Sequence, residues 1–297
     1  MQRLTVSDMP DMKKPQWLKV RYNAAETREV AQLMSSLGLN TVCTSASCPN
    51  LGTCYRHKTA TFMILGAKCT RNCAFCDVPH AKAGELLPPD PDEPRRIAMA
   101  AQKLGLRHIV VTCVTRDDLP DGGAGVFAEV IREVRKSCPQ ITTEVLISDF
   151  KGDKKALGTV MAEKPDVLNH NIETVPSLYS AVRPGAVYSR SLEVLRAAKE
   201  YGTSYTKTGI MLGLGETDDE LREVFENLRE IKCDILVISQ YLQPSSDHYP
   251  LQRYVTPEEF ENYKKIALDC GIKYVVSAPL VRSSYLAAEA LEGVREK

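Results

Sequence analysis

From Ala60 onward the chain alternates between two hydrophobic rhythms. Apolar, β-branched runs at 60–66 (ATFMILG), 107–114 (RHIVVTCV), 141–148 (ITTEVLIS), 166–173 (DVLNHNIE), 205–212 (YTKTGIML) and 234–242 (DILVISQYL) read as buried strands. Between them lie stretches with apolar residues at helical spacing: RRIAMAAQKLG, GVFAEVIREVRKS, the shorter KKALGTVMAEK, SLEVLRAAKEYG, DDELREVFENLREI and PEEFENYKKIALDCG. Several begin near Pro, Ser, Thr or Asp and end at glycine, as helix punctuation should. Six strands alternating with helices predict parallel βα units. Six falls short of the eight that close a barrel, so the pattern predicts an α/β fold of the open, partial (β/α)6 type rather than a doubly wound sheet.

Two segments stand outside that alternation. Residues 1–59 are expected to form an N-terminal extension with one helix (AETREVAQLMSSLG) and a cysteine-bearing loop. Residues 60–271 would be the partial barrel, and 272–297 a C-terminal extension with a helical tail. No repeat or domain linker interrupts the chain.

Composition narrows the function classes. Among 297 residues, 38 Lys and Arg balance 38 Asp and Glu, so no net field draws the protein to nucleic acid or to an anionic membrane. No apolar run reaches the roughly 20 residues a membrane span needs. The start, MQRLTVSDMPDMKKPQWL, has neither a secretory core nor a transit-peptide pattern. A cytoplasmic protein is expected.

The cysteines change the picture. There are ten, and six lie between Cys43 and Cys76. Such clustering in a reducing compartment points to metal rather than to disulfides. Cys69, Cys73 and Cys76 follow the first strand as C-x3-C-x2-C, and no fourth cysteine closes the set. A structural zinc site would want that fourth ligand, with His80 the one near candidate. A [4Fe–4S] cubane on three thiolates instead leaves one iron open for small-molecule chemistry. Upstream, Cys43, Cys48 and Cys54 form a second set of three, C-x4-C-x5-C, again without a fourth. The remaining Cys113, Cys138, Cys233 and Cys270 fit buried thiols, and none of the five histidines shows a ligand pairing.

The CTRNCAFC loop after a first βα strand resembles the radical S-adenosylmethionine superfamily. That resemblance implies a [4Fe–4S] cluster on Cys69, Cys73 and Cys76, with S-adenosylmethionine as cosubstrate. It implies cofactor contacts at the ends of later strands: Asn171 and Glu173 in NHNIET, Arg183 in VRPGA for the methionyl carboxylate, and Met211 and Gly213 in GIMLGLGE beside the adenine. RDDLPDGGA (116–124) is expected to shape the cofactor pocket, and SQYLQPSSDHYP (239–250) to line a route to the second cysteine set.

Taken together, TVC…CPN…C, CTRNCAFCDV, RDDLPDGGA, HNIET, TGIMLGLGET, SQYLQPS and PLVRSSY resemble the lipoyl synthase family over nearly the whole chain. In that family the second cysteine set holds an auxiliary [4Fe–4S] cluster completed by a serine of the RSSY motif, here Ser284 with Ser283 as the fallback. The implied reaction inserts sulfur at C6 and C8 of an octanoyl-lysine on a carrier protein, with the auxiliary cluster as sulfur source. It implies an electron donor such as ferredoxin or flavodoxin, and an iron–sulfur carrier. Thr44, Ser45 and Thr53 stand where the family favours acids, and Cys113 where it favours serine. The competing readings are another radical sulfur-inserting enzyme and a non-catalytic iron–sulfur electron carrier.

Overall fold

The structure, a computed structural model, describes residues 13–20, 24–57, 60–202 and 204–297. Most of the N-terminal stretch read for targeting signals, residues 1–12, lies outside the described residues. So do Lys58 and Thr59 at the end of the expected N-terminal extension. Among the described residues no helix is long and apolar enough to cross a membrane.

All six expected strands form: β2 (Thr61–Ile64), β3 (His108–Cys113), β4 (Thr142–Leu146), β5 (Val167–Asn169), β6 (Tyr205–Leu212) and β7 (Ile235–Gln240). They pair in parallel and in chain order. The sheet gains a strand at each edge. β1 (Asn40–Thr41) pairs antiparallel with β2, and β8 (Tyr274–Ser277) pairs parallel with β7. Thus KYVVS, read from sequence within the C-terminal extension, continues the sheet. Among the described residues the eight-stranded order β1 to β8 has no pairing between its outer strands, so the barrel is open.

Helices follow the strands as the periodicity predicts: α4 (Glu93–Leu104), α5 (Ala124–Ser137), α6 (Lys154–Ala162), α8 (Tyr188–Glu200), α9 (Asp218–Glu230) and α10 (Pro257–Asp269). Short α7 (Tyr179–Val182) precedes α8. α1 (Ala24–Ser36), α2 (Val42–Ser45) and α3 (Leu51–Arg56) lie before the barrel, and α11 (Ala287–Arg295) ends it. α9 shows why these helices form where they do. Thr217 and Glu220 make a reciprocal capping box, and Leu221, Val224, Phe225 and Leu228 bury one face at helical spacing. The same box, Thr256 with Glu259, starts α10.

Strand alternation sorts the inner face of the sheet into layers. At the carboxyl ends, Met63, Thr112, Leu146, Gly209, Met211, Val237 and Ser239 line a large cavity. One layer down, the buried Lys207 ammonium pairs with Glu144 at 3.0 Å, and the Asn169 amide donates to the same carboxylate at 2.9 Å. At the amino ends, Val167 and Ile235 pack against Ala290, Leu291 and Val294 of α11. The last helix is therefore a floor for the open barrel.

Gly293 permits that floor. A Cβ there would meet the Tyr274 ring at 2.3 Å. Gly→Ala inside a helix ordinarily stabilises by about 1 kcal/mol. Here the sign reverses, because overpacking costs about 1–3 kcal/mol. Gly293→Ala should lower the denaturation midpoint, and a thermal or urea melt of the variant beside the parent checks it.

Candidate active site

The cavity at the carboxyl ends of the strands has a volume of ≈870 Å³. All six clustered cysteines stand in its wall, three from each set, together with Asn171, Glu173, Arg183, Met211, Ser283 and Ser284. Among the residues expected to bind a cluster or the cosubstrate, Gly213 is the exception. It lies in the turn after β6, with its N–H donated to Glu216 at 2.7 Å, and does not line the cavity.

The first cysteine loop leaves β2 and contains almost no regular structure. Its backbone is held by its neighbours: Cys69 N–H to Pro79 O at 2.9 Å, Thr70 N–H to Thr115 O at 2.9 Å, and Ala74 N–H to Val182 O at 2.9 Å. From the loop after β7, Tyr249 N–H donates to Ala74 O at 2.7 Å, and His248 Nε2 approaches Cys76 O at 3.2 Å. The Cys69 sulfur already accepts N–H bonds from Arg71 at 3.4 Å and Thr115 at 3.3 Å. The second set rides on α2, α3 and the turn between them. Ser47, just before Cys48, donates to Asp77, just after Cys76, at 2.6 Å, so the two loops touch directly. Thr44, standing where an acid was expected, instead joins Thr41 around the Tyr55 hydroxyl.

Burial pushes the Cys43 thiol up to about 11 and the Cys76 thiol to about 12, and raises Cys73, whose rise Arg183 opposes. Without metal these thiols stay protonated near neutrality, and coordination releases their protons. None of the ten cysteines is disulfide-bonded. The donor set, soft thiols in two groups of three, fits iron–sulfur clusters. Cys113 was read as an ordinary buried thiol. It also reaches the cavity wall, and burial raises it to about 12.

Opposite the thiols, β5 ends in a polar hook. Glu173 adopts a left-handed backbone (φ 65°), uncommon for a residue with a Cβ. Bonds to β6 hold it there, Glu173 N–H to Gly209 O and Met211 N–H to Glu173 O, both 2.9 Å. Burial raises its carboxyl above the usual range, while Arg183 pulls it down. Asn171 donates to Glu173 at 3.1 Å and accepts the Ser283 hydroxyl at 2.9 Å. The space for that last bond comes from Gly209, where a Cβ would meet Ser283 Oγ at 2.8 Å and Asn171 Oδ1 at 3.0 Å. Arg183 is buried and donates to Asn171 O, Ile172 O and the Tyr179 hydroxyl, yet its Nε has no partner. A buried donor without a partner on a cavity wall fits an anionic ligand group. Ser284 lines the same cavity, and no hydrogen bond engages its hydroxyl among the described residues.

Sequence reasoning passed over Arg282, a half-buried side chain that lines the cavity. Burial lowers its pKa, while Cys48 and Glu173 work to raise it. Its place in the RSSY run was the available signal.

The Radical SAM superfamily model matches residues 63–228, which takes in the first cysteine loop and strands β3 to β6. Solved structures share the architecture at low identity. Streptococcus suis SuiB bound to S-adenosylmethionine superposes with a TM-score of 0.57 at 12% identity, covering 85% of this chain and 60% of that one. The FeFe-hydrogenase maturase HydG from Carboxydothermus hydrogenoformans gives 0.55 at 14%, covering 91% and 79%. The mostly parallel sheet and the family match over more than half of the chain make this a radical S-adenosylmethionine enzyme, a class that works with a [4Fe–4S] cluster and S-adenosylmethionine. Two curated lipoyl synthases are each 53% identical to this chain. That of Caldanaerobacter subterraneus subsp. tengcongensis aligns over 96% of this chain and 99% of its own length. That of Caldicellulosiruptor saccharolyticus aligns over 95% and 98%. The chain belongs to the lipoyl synthase family.

Acid stability reports on the wall of this site. His170 is fully buried, with Nδ1 3.0 Å from Ile147 O and Nε2 3.0 Å from the Ser191 hydroxyl. Since a carbonyl only accepts, Nδ1 carries the proton and Nε2 accepts from Ser191. Burial, reinforced by Arg183, lowers its pKa from 6.5 to about 4. The unfolded chain takes up this proton near pH 6.5 and the folded chain only near 4. Its stabilising contribution is therefore complete above pH 6.5 and is lost as pH falls toward 4, on the order of 3 kcal/mol in all. His170→Gln should flatten the dependence of Tm on pH across that window, as melts at successive pH values would show.

Proposed function

We propose that this enzyme inserts two sulfur atoms, at C6 and C8, into an octanoyl chain amide-linked to a lysine of a carrier protein, and so completes the lipoyl group. The observation that carries this reading is the convergence of both cysteine sets and the unengaged Ser284 hydroxyl on one cavity. In this reading Cys69, Cys73 and Cys76 hold the cluster that works with S-adenosylmethionine, and Cys43, Cys48, Cys54 and Ser284 hold an auxiliary [4Fe–4S] cluster. When bound, the two clusters with S-adenosylmethionine supply a 5′-deoxyadenosyl radical for hydrogen abstraction and the sulfur that replaces the hydrogen. Saturated carbons with no activating group call for radical chemistry, because no side-chain base deprotonates them usefully.

The chain's own residues then position the reactants. Arg183, with its free Nε, suits the methionyl carboxylate, and Glu173 with Asn171 suits the ammonium or the ribose hydroxyls. Met211 lines the wall near them and suits the adenine. Met63, Val114, Leu146, Ile210, Val237 and Leu242 give the cavity an apolar wall that suits an eight-carbon chain and keeps water from it. An octanoylated carrier protein, a low-potential donor such as ferredoxin or flavodoxin, and an iron–sulfur carrier that rebuilds the auxiliary cluster are the partners, in the cytoplasm.

Ser284, rather than Ser283, is the serine ligand. Ser283 already spends its hydroxyl on Asn171, whereas that of Ser284 is available.

The test is anaerobic incubation of reconstituted protein with an octanoyl-lysine peptide, S-adenosylmethionine and a strong reductant, followed by mass spectrometry. A gain of two sulfurs in exchange for two hydrogens, with 5′-deoxyadenosine released, is the expected result. Deoxyadenosine without peptide sulfur would assign the site to another substrate. Ser284→Ala should abolish the gain of sulfur and keep deoxyadenosine formation, whereas Ser283→Ala, which loosens the run but keeps the Ser284 hydroxyl, should retain both with a reduced gain of sulfur. Equal behaviour of the two variants would remove the assignment of Ser284.

A further inference from the structure

The stretch 116–124, expected to shape the cofactor pocket, puts no side chain in the cavity wall. It grips the first cysteine loop instead, through Arg71, which with Asp149 itself reaches the cavity wall. At the loop's entry, Arg116 Nη1 donates to Leu65 O at 3.1 Å, while Leu65 N–H is held by the buried Glu93 carboxylate at 3.0 Å. The Leu65 side chain occupies the space where a Cβ on Gly123 would sit, 2.2 Å from its Cδ1. Inside the loop, the Thr70 hydroxyl donates to Thr115 O at 2.9 Å and accepts from Asp117 N–H at 3.0 Å. Arg71 Nε and Nη2 reach the two oxygens of Asp117 at 2.7 and 2.9 Å. The same Nη2 donates at 2.6 Å to Asp149, beyond the end of β4, which Arg190 of α8 also contacts at 3.2 Å. The Arg71 side chain is only 7% exposed and that of Asp149 not at all.

We propose that residues 116–123 form a clamp that positions the first cysteine loop, with Arg71 as the positioning residue through which it acts. Arg71 lies two residues from both Cys69 and Cys73, so any shift of its guanidinium passes into two thiols at once. A planar fork on two carboxylates fixes orientation as well as distance, and a lysine cannot do both. The pairing is also hard to loosen. A largely buried guanidinium that loses one carboxylate keeps the cost of desolvation without its compensation. The loop's backbone bonds tie it to Thr115, Pro79, Val182 and Tyr249, and the Arg71 side chain adds the tie to the loop after β4.

This inference rests on the reading that Cys69, Cys73 and Cys76 hold a cluster, and the experiment separates the two. Hydrogen exchange on the full metal-free chain would compare the parent with Arg71→Lys and Asp117→Asn, the second leaving the Arg71–Asp149 bond in place. After anaerobic reconstitution with iron and sulfide, the change in the reduced protein's paramagnetic resonance spectrum on adding S-adenosylmethionine is the second readout. In both variants amides of residues 69–76 should exchange several-fold faster, with α10 unchanged, and the spectral response should weaken several-fold. Arg196→Ala, which breaks a surface ion pair on α8, should leave both readouts as in the parent. Unaltered exchange at 69–76 in both variants would overturn the clamp. A parent protein whose spectrum ignores S-adenosylmethionine would overturn the cluster reading instead, and the exchange data would still decide the clamp.

Discussion

A loop that turns three thiols toward one cavity has little backbone left for holding itself in shape. The residues from Cys69 to Cys76 contain no helix and only a single isolated bridge, between Cys69 and His80. Their placement is borrowed from the ends of β3 and β7, from α7, and through Arg71 from the loop after β4. The parallel sheet makes that loan possible, because it brings the carboxyl ends of consecutive strands to one rim where their loops meet. The second cysteine loop then leans on the first through Ser47 and Asp77. A fault in the rim would reach both sets.

Below the rim, the barrel handles its openness in two different ways. The middle layer carries a buried ion pair, Lys207 with Glu144, and Asn169 and His108 crowd the same carboxylate. Desolvation alone would raise the Glu144 pKa, but Lys207 and the neighbouring donors lower it instead. Such a pair rarely adds net stability over an apolar one of the same size. Its geometry does tie β4 to β6 across the short β5, which is only three residues long and has few ladder bonds of its own. The floor is purely apolar, α11 against Val167 and Ile235. One layer thus fixes register, and the other excludes water.

The sequence spoke clearly where a signal was both local and long. Six apolar runs of seven or more residues became six strands, since buried parallel strands need continuous apolar stretches. β8 escaped notice because its four residues sit between a helix and the proline-bearing APLVRSSY run, and β1 because it has only two. The cysteine spacing put all six thiols on one cavity, because ligand spacing is a covalent constraint that the fold must respect. Gly213 and Gly209 show the limit. Both lie in one glycine-bearing motif and have the same strand parity, but β6 ends at Leu212 and the chain turns at Gly213 with φ 96°, so only Gly209 stays on the inner face. The partners of RDDLPDGGA were illegible for a different reason. Leu65, Arg71 and Asp149 lie far from it in sequence, and no periodicity relates them to it.

The tail shows how chemistry can hang on a residue with no sequence signal of its own. Ser283 and Ser284 are adjacent and chemically identical, and β8 delivers both to the rim. What separates them is a neighbour more than 70 residues away: Gly209 lacks a side chain, so Ser283 reaches Asn171 and bonds to it. That bond fastens the RSSY run to the end of β5, and α11 fastens the chain immediately after it to the barrel floor. Ser284 sits between those two anchors. Its hydroxyl is positioned without being consumed, which suits the ligand role proposed for it. Were the tail held only by its own backbone, the entropy of ordering it would fall on the cluster, at roughly 1–2 kcal/mol for each residue fixed. Here Ser283 and α11 have already ordered the run on either side of Ser284, so the proposed ligand would bind without that cost.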